Sequence, residues 1–98
     1  MADITVNIDG DGGFSPSSIN PNPGETVTFA AEDDTVLCVE PASVFGENRF
    51  EIAAGTSVSL AVQADAAQVD FSFSAVIGSL DLDCVSARGK DGGGRTGG

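Results

Sequence analysis

Few groups in this chain are equipped for reaction or ligand binding: two cysteines, one pair of alternating acids, and a glycine-rich terminus. Cys38 and Cys84 are the sole thiols, and there is no histidine anywhere. A nucleophilic or redox thiol needs a nearby cation or imidazole to favour its thiolate. No Lys or Arg lies close to either cysteine in sequence. Two thiols also fall short of the four ligands that a structural zinc site takes. The segment Asn7-Ile8-Asp9-Gly10-Asp11-Gly12 places oxygen ligands at alternate positions and Gly sixth, as the first half of a calcium loop does. The twelfth position is Ser18, where that loop needs a bidentate Glu. Asp-Gly is also a common hairpin turn, so Asp9 and Asp11 read either as a turn or as a weak calcium site. Glu32-Asp33-Asp34 reads as a solvated turn.

Composition narrows the classes further. Net charge is −11, from 15 acids against Arg49, Arg88, Lys90 and Arg95. Such a surface repels phosphate backbones and anionic lipids, so neither nucleic acid nor a membrane surface is an expected partner. It suits solubility at high salt, and equally suits an ordinary acidic protein. No stretch approaches the ~20 apolar residues of a membrane helix. With no His, Tyr or Trp and a single Lys, acid–base catalysis would fall to carboxylates alone, and no nucleophile elbow, P-loop or dinucleotide fingerprint is present. The chain is not expected to be an enzyme, and no cofactor is expected.

The elements that must position these residues are strands. Apolar side chains alternate at Ile4/Val6/Ile8, Val27/Phe29, Phe50/Ile52, Val58/Leu60/Val62, Val69/Phe71/Phe73 and Leu80/Leu82/Cys84. Turn signals separate them, among them Pro23-Gly24, Asp33-Asp34, Gly55 and Gly78. Seven or eight short strands with one wet face each predict an antiparallel Greek-key β-sandwich over residues 1–86. Pro16 makes residues 14–19 an edge strand or a crossing between sheets. Residues 41–48 have room for one helical turn. Cys84 shares the phase of Leu80 and Leu82, and Cys38 follows Val36 at spacing two, so both are expected to point inward. Inward cysteines on different strands could form a disulfide closing a 46-residue loop, a constraint of about 4 kcal/mol. The alternative is a pair of buried thiols acting as small hydrophobes.

Within this pattern Phe14-Ser15-Pro16, Ile19 and Pro23-Gly24-Glu25-Thr26-Val27-Thr28-Phe29 resemble the opening of a cupredoxin domain. Asp34-Thr35-Val36 and Ala54-Gly55-Thr56-Ser57-Val58 extend the likeness, which covers residues 4–85. The resemblance implies a copper-protein frame. It puts the family's first histidine at about Cys38 and its ligand cysteine near Ala75, with the remaining ligands in the following Val76-Ile77-Gly78-Ser79 loop. None of those ligand types is there, and one thiol cannot supply a blue-copper set. The implied reading is a cupredoxin-like scaffold without metal.

Residues 87–98, ARGKDGGGRTGG, hold no apolar side chain after Ala87 and are expected to form a flexible tail. Their end, Arg95-Thr96-Gly97-Gly98, resembles the exposed diglycine of ubiquitin-like modifiers and sulfur carriers, which would make Gly97 and Gly98 a conjugation site. Met1-Ala2-Asp3 leads straight into a strand with no signal peptide, so the chain as written is cytoplasmic, or secreted or periplasmic where a leader has been replaced. The expected function is non-enzymatic: a structural or binding module for a protein partner or an assembly. A modifier acting through Gly98 and a calcium-binding β-domain are the alternatives.

Overall fold

A computed structural model describes residues 3–10, 13–81, 84 and 92–97. These residues form an all-β sandwich of two sheets. β1 (Asp3–Ile8), β2 (Phe14–Ser15), β4 (Thr26–Ala31) and β7 (Ser57–Ala61) make sheet A, in the order β2-β1-β4-β7. β3 (Ser18–Ile19), β5 (Thr35–Glu40), β6 (Arg49–Ile52), β8 (Asp70–Ile77) and β9 (Gly92–Arg95) make sheet B, in the order β3-β9-β8-β5-β6. A 3-10 turn, Ala42–Val44, fills the place expected for one helical turn.

Both sheets are mixed, where an all-antiparallel arrangement was expected. β1 runs parallel to β4, and β3 parallel to β9. The reason is the segment holding β2 and β3. Pro16 and Ser17 break the strand, so its first half pairs with β1 and its second half with β9 in the other sheet. The chain thus leaves sheet A and returns to it at β4, a crossover that leaves β4 free to run parallel to β1.

Alternation then decides the core. β4 buries Val27, Phe29 and Ala31 and turns Thr26, Thr28 and Ala30 outward. Phe29 is fully buried and meets Phe73 edge-on at 5.3 Å between ring centres; Phe14 meets Phe73 at 4.6 Å and Phe45 meets Phe29 at 6.3 Å. Such tilted contacts set the ring edges against the ring faces and add to simple area burial. Ile8, Leu37, Val39, Val44, Ile52 and Val62 complete a dry centre between the sheets.

Leu80, Asp81 and Cys84 are not in the strand that their alternation predicts, and residues 82–83 lie outside the described residues. Gly78 takes φ 120°, Leu80 and Asp81 lie in a turn, and Cys84 is in 3-10 geometry. A positive φ suits glycine alone and redirects the chain out of β8.

The glycine-rich terminus is not a free tail over its described part. Gly92–Arg95 is β9, inserted between β8 and β3. Glycine is needed there for closeness. A Cβ at Gly92 would overlap the Phe73 ring, and one at Gly94 would overlap the backbone carbonyl of Ile19. Composition alone reads as a linker because a strand of glycines has no side-chain pattern to detect.

Candidate functional site

Cys38 and Cys84 form a disulfide, with Cα atoms 5.7 Å apart. It lies on a different face from the one expected. In β5, Leu37 and Val39 belong to the sandwich core, whereas Val36 and Cys38 do not. Neighbouring strands agree: Cys38 sits opposite Ser74 and Arg49, Val36 opposite Val76 and Glu51. Cys38 thus points to the outer face of sheet B. The chain after β8 folds back over that face. Arg49 donates to the Leu80 carbonyl at 2.8 Å and pairs with Glu51 at 2.7 Å. Under this cover Val36 is fully buried, as are Cys38 and Ser74 nearly so. The disulfide is a staple, and it holds a flap to the outside of the sheet.

The acidic turn also has structural employment. The Asp9 amide donates to the Gly13 carbonyl at 3.0 Å, and Asp9 Oδ1 accepts from the Gly13 amide at 2.9 Å. This closes the β1–β2 hairpin, as an Asp-Gly turn does. Asp11 lies outside the described residues. Asp34 Oδ1 accepts from the Ala54 amide at 2.9 Å, tying the β4–β5 turn to the β6–β7 turn. Among the described residues, no three Cys, Asp or Glu side chains gather as a metal site would require.

Gly97 is docked as well. Its amide donates to the Pro21 carbonyl at 2.9 Å and its carbonyl accepts from Gln68 at 3.2 Å. Beside it Thr96 is buried, its Oγ1 accepting from the Val69 amide at 2.7 Å. An activating enzyme that threads a diglycine end would first have to pull Gly97 away from Pro21 and Gln68. Gly98 lies outside the described residues.

The site that the sequence did not single out is the outer face of sheet A. Register brings Thr5, Thr28 and Ser59 into one row across β1, β4 and β7, and Asn7, Ala30 and Ser57 into the next. Thr28 Oγ1 and Ser59 Oγ are hydrogen-bonded at 3.0 Å. These two rows hold six small uncharged side chains, on a chain with net charge −11. At one end the face runs into a recess of about 460 Å³, lined by Asn7, Ala30 and Ser57 and bordered by Asp9 and Glu32. A shallower hollow on sheet B is floored by Gly92 and Gly93 and flanked by Glu40 and Asp70. Both recesses are rimmed by carboxylates; what sets the first face apart is the two uncharged rows beside its recess, which no described segment covers. A signal for the neutral face did exist, since the wet positions of ITVN, TVTFA and SVSLA lack charge. Only strand pairing joins them into a surface. No protein-family model and no curated protein matches the chain.

Proposed function

We propose that the protein is a non-enzymatic binding module, a Greek-key, cupredoxin-like scaffold without a metal site, that engages a protein partner through the outer face of sheet A. The observation that carries this reading is the neutral row Thr5–Thr28–Ser59, set on an otherwise strongly acidic molecule. Charged side chains are depleted at the centres of protein interfaces, because each would have to be desolvated and paired. A flat sheet face of small hydroxyls and alanines avoids that cost. It can pack closely, and its hydroxyls can rotate to donate or accept. The staple on sheet B and the docked C-terminal strand keep the frame rigid, which lowers the entropy lost on binding.

The reading is tested by site-specific photo-cross-linking in cells that express the protein natively. A photoreactive side chain at Thr28, on the neutral face, should give a discrete covalent adduct. The same group at Ser72, on the outer side of sheet B, should not. No adduct from Thr28, or equal adducts from both positions, sinks the proposal.

A further inference from the structure

β7 is the outer edge of sheet A. Sheet edges in stable proteins carry a charge, a proline, a bulge or extreme shortness to block unwanted pairing. The other described edges obey this. β2 and β3 are two residues each and meet at Pro16, and β6 carries Arg49 and Glu51. β7, with the sequence SVSLA, carries no such guard.

Its hydrogen-bonding direction can be read from its flanks. Thr56 accepts from the Ala31 amide at 3.0 Å, and the Val62 amide donates to Glu25 at 2.9 Å. Pairing alternates along an antiparallel ladder, so Val58 and Leu60 bond to β4. The backbone N–H and C=O groups of Ser57, Ser59 and Ala61 therefore face outward, unpaired by sheet A. The side chains of these three are small, uncharged and exposed.

We infer that β7 pairs with β7 of a second copy, antiparallel and about a two-fold axis, joining two four-stranded sheets into one of eight strands. This rests on the reading of sheet A as the interacting sheet and places the second copy at its β7 edge, beside the neutral face. Charge opposes a second copy elsewhere and leaves this edge as the place where two copies can meet. Two chains of −11 repel wherever their acids approach, and residues 52–64 contain no charged side chain. Symmetry agrees with it, because the strand is its own complement: with the axis at Ser59, Ser59 meets Ser59 and Ser57 meets Ala61. No bulky side chain intervenes. A five-residue strand spans only about 17 Å, so the contact belongs with small transient interfaces. It should need concentration, and salt to screen the repulsion between the two bodies.

Sedimentation velocity on the oxidised full chain, from micromolar to millimolar, tests this. The association constant should rise at least about tenfold between 0.1 M and 1 M NaCl, as the Debye length falls from about 10 Å to about 3 Å. Ser59→Pro removes an outward N–H and leaves the bonds to β4 intact; Ser59→Glu sets two carboxylates face to face. Each should weaken dimerisation by at least about tenfold, with the melting transition preserved. A dimer indifferent to both variants overturns the inference, as does a monomer at every salt and concentration. A monomer whose Thr28 position still cross-links to another protein overturns the second-copy inference alone. A monomer with no adduct removes the wider reading too.

Discussion

The two outer faces of the sandwich have opposite fates. Sheet B is covered over β5 and β6: the chain after β8 lies across them, fastened by the Cys38–Cys84 disulfide and by Arg49 on the Leu80 carbonyl, and Val36 beneath is sealed from water, while the β8–β9 side stays open. No described segment covers sheet A, and its rows Thr5–Thr28–Ser59 and Asn7–Ala30–Ser57 are small and uncharged, with the acid Asp3 opening the row beyond them. The difference is chemical before it is geometric. Val36, Val76 and Cys38 on the outside of sheet B are apolar and need a lid; Thr5, Thr28 and Ser59 on sheet A tolerate water. A face that tolerates water yet carries no charge is also one that a partner can cover at little cost.

Removing the lid of sheet B should have the largest effect. Reduction of the disulfide, or Cys84→Ala, releases the constraint on a 46-residue loop and should lower stability by about 4 kcal/mol, read from denaturant midpoints with and without reductant. An unchanged midpoint would mean that the flap contributes nothing to the frame. Next comes Gly94→Ala, which drives a Cβ into the Ile19 backbone and should cost about 3 kcal/mol, with loss of amide-exchange protection in β9 first. Arg49→Gln should cost less, about 1 kcal/mol, because the side chain is one-third exposed and water replaces part of its hydrogen bond to Leu80. Thr28→Ala on sheet A should shift stability by no more than about 0.5 kcal/mol. A large loss there would make the neutral row part of the frame and not a surface held for binding.

How much of this was legible in the sequence follows from how each strand is specified. β1, β4, β7 and β8 alternate cleanly, and their side-chain phase could be read directly. β5 is buried along Thr35–Val39, on both faces, so its phase was hidden, and Cys38 was assigned to the core on the strength of Val36. The flap mimicked a strand because Leu80, Leu82 and Cys84 alternate; Gly78 is what breaks it. β9 was invisible for the opposite reason. It is defined by the side chains it lacks, and the close approach of Phe73 and Ile19 that demands glycine exists only in the folded chain. The neutral face needed register, which relates residues far apart in sequence. The calcium-like turn was legible down to its failing position, and the Asp9–Gly13 bonds give its actual work.

The most direct test of the central claim, that sheet A meets a second copy of the chain through its β7 edge, is a series of amide correlation spectra recorded against protein concentration at 1 M NaCl. The account predicts concentration-dependent shifts at Ser57, Ser59 and Ala61, weaker ones at Thr5 and Thr28, and a quiet sheet B. Shifts centred on β6 or on the stapled flap, or none at millimolar concentration, would contradict it.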